Sequence, residues 1–255
     1  MIKLQAQGCH PFLRGLSAHV SKFIFMLHKI LQMKSTFLAL LGIIILSSFF
    51  PMQKKQRIIF FGDSITQAGV QPTGYITKLG EMLKQKNVDN NYELIGAGIG
   101  GNKIYDLYLR MDDDVLSKSP DMVVIWVGVN DVWHKRTYGT GTDPDKFEKF
   151  YSAVLKKLQQ KNIKVAICTP AAIGEKTDFS NELDGDLNKY SSIIRGIAKK
   201  NGCALIDLRH SFLQYNLANN GENKDRGILT TDGVHLNEKG NYLVAEEMMR
   251  AIGAK

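Results

Sequence analysis

Ile58-Ile59-Phe60-Phe61-Gly62-Asp63-Ser64-Ile65-Thr66 is the stretch on which the fold is decided. Four large apolar residues without alternation read as a strand covered on both faces, and the glycine and polar residues that follow read as its sharp exit. The same signature recurs at Tyr92 to Ile95, Met122 to Val127, Ile163 to Cys168 and Ala204 to Leu208. Between these runs the apolar spacing turns helical. Tyr75, Ile76, Leu79, Met82 and Leu83 share one face, as do Phe147, Phe150, Tyr151, Val154, Leu155 and Leu158. Leu187, Tyr190, Ile193, Ile194 and Ile197 make a third such face, and a last helix is expected from about Glu238 to Ile252. Strands alternating with helices predict an α/β fold: a three-layer α/β/α domain around a mostly parallel five-stranded sheet, over residues 57–255. Such sheets place their sites in the loops at the carboxyl ends of the strands.

The 255 residues carry a formal charge of +8, which invites a nucleic-acid reading until the charges are located. Residues 1–56 hold Lys3, Arg14, Lys22, Lys29, Lys34, Lys54 and Lys55 and no acid, so nearly all of the excess lies there. The body is close to neutral, and nucleic acid drops out as a partner. From Ser35 to Gln53 there is no charge, and Phe37 to Leu46 is almost unbroken hydrocarbon between Lys34 and Lys54-Lys55. A basic flank before an apolar stretch is the pattern of an export signal or a short membrane anchor. Phe49, Phe50 and Pro51 occupy the place where small residues would mark cleavage, which keeps an uncleaved anchor open. Met33-Lys34 reads as a natural start, with residues 1–32 an upstream extension; a mitochondrial presequence is the weaker alternative, since the segment has one Arg. Cys9, Cys168 and Cys203 form no disulfide framework, and the last two read as small buried hydrophobes.

Ser64 follows the first strand directly, where its hydroxyl stands at the mouth of the turn. A serine is a weak nucleophile without a base in hydrogen-bond reach. The body offers His134, His210 and His235; only His235 has a carboxylate, Asp232, three residues ahead in a loop that can fold back on the ring. His134 is a candidate for the pocket lining, and His210 reads as structural. Acyl transfer also needs donors for the developing oxyanion, each worth about 3–4 kcal/mol. Gly101 offers a backbone N–H, Asn130 a side-chain amide after the third strand, and Ser64 its own N–H. Trp133 and Tyr138, beside His134 in what reads as a loop, are candidates to stack on a sugar or acyl group. Gly96-Ala97-Gly98-Ile99-Gly100-Gly101 also satisfies a dinucleotide fingerprint, but Asp121, at the right distance for the ribose acid, opens its strand instead of closing it. No cofactor is expected, nor a metal, because no His/Cys/Glu cluster has ligand spacing. Asp112-Asp113-Asp114 reads as a solvated helix face.

Taken together, Gly62-Asp63-Ser64-Ile65-Thr66, Gly100-Gly101-Asn102, Gly128-Val129-Asn130-Asp131 and Asp232-Gly233-Val234-His235 resemble the four blocks of the SGNH hydrolases of the GDSL esterase/lipase family. The resemblance covers residues 57–255. It implies a flavodoxin-like α/β/α fold, Ser64 as nucleophile, Gly101 and Asn130 as oxyanion donors, His235 as base and Asp232 as its orienting carboxylate. Gly98-Ile99-Gly100-Gly101 is similar to the variant in platelet-activating-factor acetylhydrolase-like and acetylesterase branches. Two departures stand out: Gly96 replaces an Asn common in the family, and the first block ends Ile-Thr instead of Leu. The expectation is a serine esterase exported from the cytoplasm, acting on small-molecule or carbohydrate esters, with short-chain or carbohydrate O-acetyl esters favoured by the lack of a long apolar lid. A lysophospholipase or thioesterase is the alternative within the class; a non-catalytic carbohydrate-binding protein and a nucleotide binder are the alternatives outside it.

Overall fold

The computed structural model describes residues 22–34 and 54–253. The chain divides into two units, Met1–Gln53 and Lys54–Lys255. In the first, residues 22–34 form a helix whose Phe23, Phe25 and Leu31 are exposed and whose Lys29 ammonium lies 4.9 Å from the centre of the Phe25 ring. The expected signal or anchor over residues 35–53 lies outside the described residues. Among the described residues, no helix is long and apolar enough to cross a membrane.

The second unit is built on five strands, β1 (Gln56–Gly62), β2 (Tyr92–Gly98), β3 (Met122–Trp126), β4 (Lys164–Cys168) and β5 (Ala204–Ile206), in the order β2-β1-β3-β4-β5. Every pairing is parallel, so the sheet is wholly parallel where the sequence predicts mostly so. Because successive side chains point to opposite faces, the unbroken apolar runs of the central strands β1 and β3 feed two cores at once. Ile58, Phe60, Val124 and Trp126 lie in one core with Tyr75, Leu79, Leu83, Val244 and Met248; Ile59, Phe61, Val123 and Ile125 lie in the other with Leu107, Met111, Tyr151, Leu155 and Ile194. Burying such a side chain stabilises by roughly 1.5–3 kcal/mol, which favours apolar residues on both faces of the buried residues 58–61 and 122–126.

Among the described residues, eight α-helices connect and cover this sheet: α1 (Ser64–Ala68), α2 (Tyr75–Gln85), α3 (Ile104–Asp114), α4 (Val129–Thr137), α5 (Pro144–Gln160), α6 (Asp184–Asn201), α7 (Leu208–Asn219) and α8 (Glu238–Ala251). Proline opens α5 where its missing N–H would be unpaired anyway. The Asn237 side chain caps α8 by accepting from Gly240 N–H at 3.0 Å. Two segments correct the sequence reading. Trp133 belongs to α4 and Tyr138 is its C-terminal cap, so neither sits in an open loop. Helix α7 begins at Leu208, which the apolar run had assigned to the last strand. Both helices bury polar residues, Asn130 and Asp131 in α4 and Arg209 and Asn216 in α7, and these break the apolar periodicity.

Candidate active site

The register brings the first three blocks to one level. Gly62 at the end of β1 pairs with Gly98 on one side and Trp126 on the other, so the turns after β2, β1 and β3 emerge side by side. Asp63 caps α1, its Oδ1 accepting from Ile65 N–H at 3.0 Å, and this turns Ser64 up at the helix start with its side chain half-buried. The second block curls over it. Gln67 of α1 accepts the Gly100 N–H at 2.8 Å, and a Cβ placed on Gly100 would stand 3.9 Å from Ser64 Cβ. Gly101 has φ +75°, a conformation that side-chain-bearing residues rarely adopt. Among the described residues, neither the Ser64 nor the Gly101 N–H donates to any protein acceptor. Asn130, buried at the start of α4, spends one amide hydrogen on the Asn102 carbonyl at 3.1 Å and keeps the other.

The fourth block arrives from the far end of the chain. His235 Nε2 lies 2.9 Å from Ser64 Oγ, and its Nδ1 lies 2.7 Å from Asp232 Oδ2. The other oxygen, Asp232 Oδ1, accepts from Val234 N–H at 2.9 Å and His235 N–H at 2.8 Å. Partial burial pushes this carboxyl up, but the hydrogen bonds from the His235 ring and the two N–H groups outweigh it, and Asp232 titrates below the ordinary carboxylate value. A charged acceptor on Nδ1 fixes the proton there and leaves Nε2 with a bare lone pair toward the serine.

Four further groups shape the site; of these only Asp63, whose place after the strand reads as a turn cap, is marked in the sequence. Glu175 is a buried carboxylate in the loop after β4; it accepts from Ile228, Leu229 and Thr230 N–H at 2.8, 2.6 and 2.9 Å and so holds the segment that leads into Asp232. Arg110 of α3 ties the ends of β1 and β2 together through their carbonyls. Asp63 and Asp131 are buried beneath the serine turn and in α4, and burial pushes both carboxyls up to about 7, with the like charge of Asp131 adding to the effect on Asp63. No local spacing announces the roles of Glu175, Arg110 and Asp131; a lone acid between turn residues has no sequence signal.

The pocket wall is aromatic. Trp133 meets His235 edge-on with ring centres 6.3 Å apart, His134 lies 5.7 Å from Trp133, and Tyr138 stands at 4.9 Å from His134 and is largely exposed. His134 Cε1 is 3.7 Å from where a Gly101 Cβ would project, and burial together with the Lys103 charge lowers its pKa. His210, by contrast, is exposed on α7 and joins none of this. The glycine-rich stretch is explained by crowding: a Cβ on Gly98 would lie 2.1 Å from Gln67 N, and one on Gly96 would lie 2.4 Å from Val70 Cγ1. These glycines let β2 approach the serine turn, and Val70 fills the room that an Asn at position 96 would need. Asp121, the would-be ribose acid, accepts instead from Arg57 N–H at 2.8 Å at the opposite edge of the sheet.

A parallel sheet of this order, with a hydrogen-bonded serine, imidazole and carboxylate at its carboxyl edge, is the architecture of an α/β/α ester hydrolase. The chain belongs to the GDSL-like Lipase/Acylhydrolase family, whose sequence model matches residues 60–243. An acetyl xylan esterase of known crystal structure, AlAXEase, is 70% identical, with a TM-score of 0.76 over 77% of this chain and 99% of that one. An acetylxylan esterase from Geobacillus stearothermophilus is 25% identical over 78% of this chain and 94% of its own. The uncharacterized lipoprotein YqeF of Bacillus subtilis is 24% identical over 61% of this chain and 72% of its own.

Proposed function

We propose that this ester hydrolase removes O-acetyl groups from a plant-type polysaccharide such as xylan, through an acetyl-enzyme on Ser64. The observation that carries the reading is the 2.9 Å approach of His235 Nε2 to Ser64 Oγ, with Asp232 at 2.7 Å behind the ring. His235 takes the Ser64 proton as Oγ adds to the acetyl carbonyl. The oxyanion rests on the Ser64 N–H, the Gly101 N–H and the free hydrogen of the Asn130 amide. His235 then hands its proton to the departing sugar oxygen, the C–O bond breaks, and a water activated by the same ring releases acetate. Ionised Asp232 stabilises the imidazolium in both halves.

The substrate class is supported by the relatives named above and by the wall of Trp133, His134 and Tyr138, whose flat rings suit the faces of pyranose units. Residues 57–255 act as the catalytic domain, and the basic, apolar leader is read as the element that exports or anchors it, in keeping with a polymeric substrate and with a lipoprotein relative. Acetate release from acetylated xylo-oligosaccharides, compared with release of fatty acid from a long-chain ester, tests the reading. The wild type should prefer the former by at least about tenfold in kcat/KM, and Ser64→Ala should abolish both. Preference for the long-chain ester would assign the enzyme to lipid esters, and activity retained in Ser64→Ala would exclude the serine mechanism.

A further inference from the structure

Arg110 carries out none of the steps above and belongs to none of the four blocks, yet every edge of its guanidinium is committed. Nε donates to Asn102 Oδ1 at 2.7 Å, Nη2 to the Gly62 carbonyl at 2.7 Å and the Ala97 carbonyl at 3.0 Å, and Nη1 to Asp114 Oδ2 at 2.6 Å. The guanidinium carbon stands 4.5 Å from the centre of the Phe61 ring, and the side chain is 15% exposed. A planar fork of this kind reaches several acceptors in fixed directions, which an ammonium cannot do.

What it joins is informative. Gly62 is the residue before the Asp63-Ser64 turn, Ala97 is near the end of β2, and Asn102 closes the turn that contains Gly101. That turn is pinned from three sides: Gln67 of α1 accepts the Gly100 N–H, Arg110 holds the Asn102 side chain, and the Asn102 carbonyl accepts from Asn130 Nδ2. Arg110 therefore links the turns that carry Ser64 and Gly101 directly, and Asn130 through Asn102. A misplacement of about 1 Å in such a donor costs on the order of 100-fold in rate, so the tolerance of the site is set by this link.

We propose that Arg110 is a positioning residue for the oxyanion pocket, fixing the Gly62–Ser64 turn against the Gly100–Asn102 turn so that the Ser64, Gly101 and Asn130 donors keep the spacing a tetrahedral oxyanion requires. The inference rests on the serine mechanism above and adds to it a residue outside the reacting set. Asp114 neutralises the guanidinium on its far side, so the group acts through geometry and not through a net positive charge beside the substrate.

The test uses the full chain with Arg110→Lys, Arg110→Gln and Asn102→Ala, assayed on p-nitrophenyl acetate and against an arylboronic acid, which forms a tetrahedral anionic adduct on a reactive serine. In the folded Arg110 variants kcat should fall about tenfold or more with KM within about twofold of wild type, and the boronate Ki should rise by the same factor as kcat falls. Asn102→Ala should show a smaller change of the same kind, and combining it with Arg110→Lys should add less than the sum of the two, because both cut one link. Folded Arg110 variants that keep kcat within about threefold of wild type, or that lose kcat with an unchanged boronate Ki, overturn the proposal. If the Arg110 variants do not fold, Asn102→Ala, which leaves the other three Arg110 bonds in place, is read by the same two criteria. Failure of wild-type Ser64 to take up a fluorophosphonate strikes the serine mechanism itself, a result independent of the variants.

Discussion

Glu175 offers a prediction whose size can be worked out bond by bond. Its Oε1 accepts from Leu229 and Thr230 N–H, both wholly buried, and its Oε2 from Ile228 N–H, which is half-buried. Glu175→Ala strips the partner from two sealed donors, at about 1–3 kcal/mol each, for a total of roughly 2–6 kcal/mol before any void is counted. Glu175→Gln can keep its carbonyl oxygen on the two buried donors and turn its NH2 toward Ile228, losing the charge assistance and one bond that water can partly replace, at about 1–2 kcal/mol. In a domain of this size about 1 kcal/mol moves Tm by 2–4 °C, so at mid-range costs, about 2.5 kcal/mol apart, the alanine variant should melt about 5–10 °C below the glutamine variant, and both below wild type. The held segment runs into Asp232 through Thr230, whose hydroxyl accepts the Gly233 N–H at 3.0 Å. The glutamine variant should therefore retain most of its turnover and the alanine variant should lose much of it. Circular dichroism melts and p-nitrophenyl acetate turnover on the three proteins supply the numbers. Equal melting of the two variants would refute the assignment of Glu175 as the carboxylate that holds this segment.

Further expectations follow from the same contacts. Asp232→Asn should keep the fold but lower kcat about ten-thousandfold, since an Asn amide can present N–H to His235 Nδ1 and turn the proton onto Nε2; steady-state kinetics beside a thermal melt decides it. Asp131 binds its proton more tightly folded than unfolded, its value being raised from 3.8 to about 7, so its contribution to stability falls as pH rises between those values. Asp131→Asn removes that loss, and its Tm relative to wild type should rise between pH 4.5 and pH 8, the difference amounting to on the order of 2–4 kcal/mol; a pH-independent difference would contradict the buried, protonated reading. Gly98→Ala drives a methyl to within 2.1 Å of Gln67 N and 2.7 Å of Asp63 O, both main-chain atoms that cannot turn aside. That variant should be insoluble or inactive, and a soluble, active protein would count against the close approach of β2 to the serine turn.

Much of this was legible in the sequence because it depends on local order. The apolar runs announced the parallel sheet since its central strands must be hydrophobic on both faces, and the four blocks announced the polar groups since each follows directly on a strand or precedes the last helix. His235 accordingly lies within hydrogen-bond reach of both Ser64 and Asp232, at 2.9 and 2.7 Å. Helix α4 was not legible: Val129–Thr137 begins with the buried Asn130 and Asp131 and ends in charged residues, so its apolar face is too narrow to read. Arg110 and Glu175 escaped for a different reason. The partners of Glu175 and the two carbonyls that Arg110 ties together are main-chain groups 13 to 55 residues away in sequence, and a carbonyl or N–H has no letter of its own in the chain.

Fluorophosphonate labelling followed by peptide mass spectrometry tests the central claim most directly, because only a serine with a proton-accepting partner and oxyanion donors reacts quickly with such a reagent. A single adduct on Ser64 in the wild type, suppressed in His235→Ala, is the predicted result. Absence of an adduct on folded protein, or an adduct on another residue, would contradict the account.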